Sequence, residues 1–160
     1  MRVSAKSDYA LRAMLELAAA DGRGPVTAED IATAQGIPAP FLQNILQALR
    51  NGGLVESRRG QVGGHLLARP AAEITLGDVI RAVDGPLGQV AGAAPEEVVH
   101  GGTAQHLGEL YVALRAGVRR VLDRVTLPEV LSGQLPDDVR ELLGDPGAWR
   151  RRGSDGGRAA

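Results

Sequence analysis

Three helical segments at the start of the chain, with a tight turn between the second and third, constrain its fold most strongly. Apolar residues recur at helical spacing over residues 4–20, a second helix begins after Thr27, and a third is predicted over 39–51. Gly36 lies in the turn before the third helix, where it can adopt a positive φ and end the second. This order predicts a helix-turn-helix, whose third helix is the one suited to a groove of double-stranded DNA.

Two short apolar runs follow the third helix. They cover residues 54–57 and 65–68 and flank a turn rich in glycine, a pattern typical of a β-hairpin. A hairpin in this place is the wing of a winged helix-turn-helix domain, which we expect to span residues 1–75. Aromatic residues make up only 2% of the chain, which favours aliphatic helix packing. The predicted fold class is mainly α with a small β-hairpin wing.

Residues 76–143 are predicted to form a linker helix, a sensor-like loop (87–103), a long helix (104–125) and short C-terminal helices. The long helix would measure about 33 Å, too long for so small a monomer to bury its apolar stripe. We therefore expect it to be a dimerisation helix that pairs with a second copy of the chain. Its stripe comprises Leu107, Leu110, Tyr111, Leu114, Val118, Val121, Leu122 and Val125. Residues 144–160 are expected to be a disordered tail.

The third helix carries no acidic residue. Its predicted apolar stripe is Phe41, Leu42, Ile45, Leu46 and Leu49. Amide side chains on the other side can pair with adenine, and arginine can reach guanine or phosphate. The glycines of the hairpin would let its backbone approach DNA. The candidate DNA-binding residues are Arg2, Lys6, Gln43, Asn44, Gln47, Arg50, Arg58, Arg59, Gly63, Gly64 and His65.

Several of these residues also have a simpler interpretation. The amides and arginine of the third helix suit an ordinary solvated face, and a lone histidine on a strand, such as His65, is more often structural. Residues 1–75 hold eight Lys and Arg against seven Asp and Glu. The positive potential would therefore be local, and DNA affinity should depend on salt.

Composition and motifs argue against several other functions. The chain has no cysteine, which removes disulfides, thiolate catalysis and cysteine-ligated metal sites. It has no phosphate-binding glycine loop, zinc-protease motif or nucleophile elbow, so we do not expect an enzyme, a cofactor or a bound metal. No apolar run approaches the roughly 18 residues of a membrane helix, and we expect a cytoplasmic protein without membrane contact.

Several motifs, in order, resemble the Rrf-two (Rrf2 or BadM-type) family of winged helix-turn-helix transcription regulators. They are Met1-Arg2-Val3-Ser4, Tyr9-Ala10-Leu11-Arg12-Ala13, Gly52-Gly53-Leu54-Val55, Val62-Gly63-Gly64-His65-Leu66-Leu67-Ala68-Arg69-Pro70, Glu73-Ile74-Thr75-Leu76-Gly77-Asp78-Val79-Ile80 and Asp84-Gly85-Pro86-Leu87. The similarity covers residues 1–132. It implies a dimer that crosses its long C-terminal helices, with recognition helices in successive major grooves and wings in the minor groove.

The resemblance implies that Gln43 and Asn44 read bases and that Arg59 enters or borders the minor groove. Many members of the family have an acid at the position of Gln43 and an aromatic at that of His65, so the operator sequence should differ. Members that bind an iron–sulfur cluster place three cysteines in the segment that corresponds to 91–107, and this chain has none there. The resemblance therefore implies a member without the cluster-ligating cysteines.

Asp8, His100 and His106 are the candidate sensor residues. Some members supply a further ligand from the position of Asp8, and a carboxylate with two imidazoles is one type of metal site. The preferred interpretation is that Asp8 is a solvated helix residue and that both histidines are loop residues. We expect regulation by a small molecule or a protein partner near this loop and the first helix.

The sequence thus predicts a transcription regulator that binds a pseudo-palindromic operator as a homodimer, with repression by promoter occlusion the simpler mode. A winged-helix interaction module that regulates a partner protein without binding DNA is the alternative. Loss of DNA binding in an Arg59→Ala dimer would distinguish the two.

Overall fold

The computed structural model describes residues 3–60 and 62–150. The described helices are α1 (Ala5–Ala19), α2 (Ala28–Gln35), α3 (Ala39–Asn51), α4 (Leu76–Asp84), α5 (Leu107–Leu122), α6 (Leu127–Ser132) and α7 (Asp137–Leu143). The strands β1 (Val55–Arg58) and β2 (Gly64–Leu67) form an antiparallel hairpin after α3. The predicted fold class, mainly α with a β-hairpin wing, is confirmed.

Local capping signals fix the ends of the first helices. The Ser4 hydroxyl accepts a hydrogen bond from the Ser7 amide and caps α1, and Thr27 does the same for α2 through the Asp30 amide. Gly36 ends α2 with φ at 60°, in the left-handed region that favours glycine. The three helices then pack around an aliphatic core. Its fully buried members include Met14, Leu17, Ile31, Leu42, Leu46 and Leu49.

The wing is attached to the helices along one side. Val55 pairs with Leu67 and Arg58 pairs with Gly64 across the hairpin. His65 also forms two backbone hydrogen bonds with Val26, of 2.8 and 3.0 Å. The segment before α2 therefore forms an isolated β-bridge with β2 and attaches the wing to the helices.

The helix α4 joins the winged domain to α5. Thr75 and Asp78 form a reciprocal capping box at its start. Near its end, Arg81 donates two hydrogen bonds to the Asp123 carboxylate, at 2.5 and 2.6 Å. The Leu76 amide donates to the Val125 carbonyl, so the segment after α5 is fixed to α4.

The long helix is shorter than predicted. α5 covers Leu107–Leu122, about 24 Å, whereas Ala104 lies in a preceding 3₁₀ turn. Val125 is only 2% exposed. The predicted assignment of Val125 to the dimerisation stripe is therefore wrong, because the chain leaves the helix at Asp123 and Val125 is buried in the chain's own interior beside α4.

The segment 87–103, predicted as a sensor-like loop, contacts α5. It contains 3₁₀ turns at Pro95–Glu97 and Gly102–Ala104. The Arg115 guanidinium lies 2.6 Å from the Glu96 carboxylate and lowers the pKa of Glu96 below its ordinary value through this hydrogen bond. A side chain at Gly88 would meet Arg115 at 2.9 Å. Contacts with α5 thus hold the segment in place.

The first part of the predicted tail is folded back on α7. Residues 144–150 form turns, and the Trp149 indole donates a hydrogen bond to the Leu143 carbonyl at 2.8 Å. The rest of the tail, 151–160, lies outside the described residues. Within the described parts of the chain, no helix has the length and apolar character needed to cross a membrane.

Candidate nucleic-acid interface

The helix α3 divides cleanly into an inner and an outer side. Leu42, Ile45, Leu46 and Leu49 are buried against the other helices. The outer side exposes the predicted polar residues Gln43, Asn44, Gln47 and Arg50. Because the helix has no acidic residue, this side can approach a phosphate backbone without charge repulsion.

The polar residues of α3 differ in how they are held. Gln47 accepts a hydrogen bond from Arg50 at 2.5 Å and donates one to Asn51 at 2.8 Å. The side chains of Gln43 and Asn44 form no hydrogen bond with any residue that the structure describes. Gln43 and Asn44 therefore have all their donors and acceptors available for a base edge, whereas Gln47 first has to release its partners.

The predicted apolar stripe of α3 is wrong at one position. Phe41 is 61% exposed, although it lies four residues before the buried Ile45. It falls at the edge of the buried side, in the first turn of the helix, where no neighbouring element covers it. Helical spacing alone could not identify it as an outward-facing residue, because Phe41 is one turn before both the buried Ile45 and the exposed Asn44.

The wing presents two arginines. Arg58 and Arg59 are exposed, and the Arg58 guanidinium lies 3.9 Å from the Glu56 carboxylate. Arg59 forms no ion pair with the described residues. Its guanidinium is therefore the cation of the wing that is available to a phosphate or a minor groove.

The wing glycines have internal roles. A Cβ at Gly63 would lie 2.7 Å from the Arg58 carbonyl oxygen, and one at Gly64 would lie 2.6 Å from the Val26 carbonyl oxygen. Both positions therefore face other backbone of the same chain. Tight packing inside the domain is enough to require glycine at Gly63 and Gly64, whether or not they contact DNA.

His65 connects the wing to α3. Its Nδ1 lies 3.2 Å from the Ser57 hydroxyl on the paired strand. Partial burial lowers the pKa of His65, and the charge of Arg50 lowers it further. The neutral imidazole therefore predominates at pH 7. It can donate or accept a hydrogen bond, and it adds little positive charge to the wing.

Two DNA contacts, Arg2 and Lys6, are predicted at the start of the chain. Lys6 is at the exposed beginning of α1, and its ammonium donates a hydrogen bond to the Val83 carbonyl at the end of α4. A phosphate contact would require Lys6 to exchange this partner. Arg2 lies outside the described residues.

The candidate sensor residues do not converge. Asp8 is exposed and lies 3.2 Å from the Arg12 guanidinium. The His100 ring packs 5.9 Å from the Tyr111 ring, and the exposed His106 lies 4.0 Å from the Glu109 carboxylate. In residues 3–60 and 62–150, no three His, Asp or Glu side chains are grouped closely enough to hold a metal ion.

The residues of the chain do not fit an iron–sulfur cluster. The segment 91–107 offers carboxylates and imidazoles, but thiolates are the usual ligands of such clusters. The full sequence contains no cysteine. A conventional cluster site is therefore absent from this chain.

An apolar groove runs along α5. It is lined by Leu110, Ala113, Leu114, Gly117, Val118, Val121 and Leu122. Leu110 and Leu114 are 53% and 58% exposed, and no residue of α5 is fully buried in the described chain. Seven of the eight residues predicted for the dimerisation stripe thus lie on this exposed or half-buried helix.

Comparison with known proteins agrees with this architecture. The Rrf2 family model, described as an iron-dependent transcriptional regulator, matches residues 3–133. A Mycobacterium tuberculosis protein named as an HTH-type transcriptional regulator is 46% identical over 91% of this chain and 90% of its own length. The HTH-type transcriptional regulator CymR of Bacillus subtilis is 36% identical over 82% of this chain and 91% of its own length.

Solved structures give the same result. The structure of CymR, the global cysteine regulator of B. subtilis, matches with a TM-score of 0.72 and 35% identity, over 84% of this chain and 98% of that one. That of IscR from T. potens matches with a TM-score of 0.68 and 31% identity, over 86% and 93%. These relatives are regulators, which confirms the prediction that the chain is not an enzyme. The chain belongs to the Rrf2 family of transcriptional regulators.

Proposed function

We propose that this chain is a homodimeric repressor that binds a pseudo-palindromic operator through α3 and the wing. The observation that carries the proposal is the outer side of α3, which is exposed, polar and free of acidic residues. Gln43 and Asn44 have unused amide groups suited to adenine. Arg50 and Arg59 supply positive charge on the side of α3 next to the wing and on the wing itself.

The apolar groove of α5 supports the homodimer in this proposal. A 16-residue helix with no fully buried side chain is marginal by itself in water. A second copy of the chain would cover Leu110 and Leu114 of both helices with the same surface, as a two-fold interface requires. The two α3 helices would then read the two halves of a symmetric site.

Control of binding is assigned to a small molecule or a protein partner. The chain lacks thiolates for a cluster, and the segment 87–103 is held on α5 by the ion pair between Glu96 and Arg115. A ligand that disturbs this segment would act on the helix that also carries the proposed dimer interface. Occlusion of a promoter by the bound dimer is the simplest way for such a protein to regulate transcription.

The test begins with selection of bound sequences from random DNA by the purified full-length protein. The proposal predicts a two-fold-symmetric motif whose half-sites are about one helical turn, or a multiple of it, apart. Arg59→Ala should weaken binding to this motif and reduce the salt dependence by about one counterion. It should leave the dimer intact.

Arg140→Ala is the control, since Arg140 is exposed but lies on α7, outside α3, the wing and α5. It should bind DNA like the wild type. If the protein selects no motif, and Arg59→Ala and Arg140→Ala behave alike, the protein-interaction module becomes the better explanation.

A further inference from the structure

Phe41 is a large, exposed apolar side chain at the edge of the polar outer side of α3. It is 61% exposed, in the first turn of α3 and one turn before Asn44. Burial of an aromatic ring is among the larger favourable contributions available to a side chain. An aromatic ring left this exposed in the chain alone is therefore well placed to contact something outside it.

The surroundings of Phe41 form a recess beside the proposed base-reading side chains. A hollow of about 340 Å³ lies between the start of α1 and α3, lined by Ala5, Lys6, Tyr9, Phe41, Asn44 and Ile45. Its surface is mostly apolar. Lys6 and Asn44 also line it, and the Lys6 ammonium itself donates to the Val83 carbonyl. The recess thus places an apolar surface beside the Asn44 amide, which is a candidate base-reading group.

The position of Phe41 along α3 favours DNA over a protein as the occupant. The N-terminal residues of a recognition helix are the ones that reach base edges, and Phe41 is the third residue of α3. The C5-methyl group of thymine is the apolar group that unmodified base pairs present in the major groove, and phenylalanine is among the side chains that contact it.

We propose that Phe41 reads a thymine in each half-site, with its ring against the C5-methyl group of that base. This inference rests on the proposed function, since it requires α3 to lie in the major groove. It adds an apolar contact to a surface whose other candidate DNA contacts are amides and arginines. It therefore assigns specificity at one base pair to a residue that the sequence pattern places in the core.

The experiment replaces each thymine of the selected operator, one position at a time, by deoxyuridine, which lacks only the methyl group. Fluorescence anisotropy measures the affinity of the wild type, Phe41→Ala and Phe41→Leu for each duplex. At one position of each half-site, uracil should weaken wild-type binding about four-fold, the value of one buried methyl group. Phe41→Ala should bind the thymine and uracil duplexes equally, and Phe41→Leu should retain part of the discrimination.

The outcomes separate this inference from the proposed function. If the wild type selects no motif, both fail. If it selects a motif but no thymine is sensitive to loss of its methyl group, only the role of Phe41 is overturned. The role of Phe41 is also overturned if loss of the thymine methyl group weakens binding of Phe41→Ala as much as binding of the wild type. It is likewise overturned if Phe41→Ala binds the operator with wild-type affinity, as a protein-docking role for the ring would require. Thermal melting of the variants checks that the exposed substitution leaves the fold intact.

Discussion

Among single residues, Gly64 allows the backbone of the wing to approach the backbone of Val26 closely. A Cβ at this position would lie 2.6 Å from the carbonyl oxygen and 2.8 Å from the carbonyl carbon of Val26. These atoms are backbone and cannot rotate away, so the two hydrogen bonds between His65 and Val26 would be disturbed. We predict that Gly64→Ala lowers the free energy of unfolding by about 1–3 kcal/mol, measured by urea denaturation.

Gly101→Ala is the matched control for this substitution. Gly101 is exposed with φ at −109°, and nothing lies within 4 Å of an added Cβ. Its alanine variant should unfold at the same urea concentration as the wild type. Equal midpoints for Gly64→Ala and Gly101→Ala would show that the wing is not anchored through Val26.

His65 should make stability depend on pH. Its pKa in the folded chain is below the ordinary value, because of partial burial and then the charge of Arg50. Between the folded-state pKa and the unfolded-state pKa of about 6.5, the unfolded chain binds more protons than the folded chain. The free energy of unfolding is therefore highest above pH about 6.5, and it falls as the pH drops towards the folded-state pKa. The effect is modest because the side chain is partly exposed.

The measurement compares wild type and His65→Asn by denaturation at pH 7.5 and pH 5. The stability of the wild type relative to the variant should fall over this interval, because asparagine does not titrate. An unchanged difference would mean that the environment of the imidazole in the folded chain does not disfavour its protonation.

At the scale of elements, α5 should depend on a partner copy. Leu114 is 58% exposed and lies in the middle of the apolar groove. We predict that Leu114→Glu raises the dissociation constant of the dimer by about 30-fold or more, because a carboxylate would be buried in an apolar interface. Sedimentation equilibrium measures this constant.

Leu142→Glu provides the comparison, since Leu142 is 54% exposed but lies on α7. It should associate like the wild type. Dissociation caused equally by both substitutions, or a wild type that is monomeric at micromolar concentration, would contradict pairing through α5.

Some helix starts can be predicted from the sequence alone. Ser4, Thr27 and Thr75 mark helix starts through local hydrogen bonds, so sequence alone predicts α1, α2 and α4 well. The ends of α5, in contrast, are not marked by local hydrogen bonds of this kind. Val125 continues the apolar spacing of the helix, but the contact of its carbonyl with the Leu76 amide is tertiary and invisible in the pattern.

The candidate interface was predictable to a similar degree. Spacing separates Leu42 and Leu46 from Gln43 and Asn44, and the structure has the same division. Phe41 was misplaced because periodicity does not show whether a neighbouring element covers the edge of a stripe. The internal contacts of Gly64 and the bond from Lys6 to Val83 likewise depend on segments distant in sequence.

At the scale of the whole molecule, regulation should not depend on a bound cluster. The matching family is described as iron-dependent, yet this chain has no cysteine. We predict that anaerobic treatment with iron and sulfide gives no cluster absorbance and that EDTA leaves operator affinity unchanged. Stoichiometric iron bound after desalting, together with a change in affinity, would contradict this expectation.

In the proposed function, the dimer distinguishes DNA sequences through the outer side of α3. The most direct measurement is an anisotropy titration of the selected operator and of a scrambled duplex of equal length, at several salt concentrations. The operator should bind at least about 10³-fold more tightly, and the double variant Gln43→Ala with Asn44→Ala should lose most of this ratio while it keeps its affinity for the scrambled duplex. Equal affinity of the wild type for both duplexes at every salt concentration would contradict sequence-specific binding through α3.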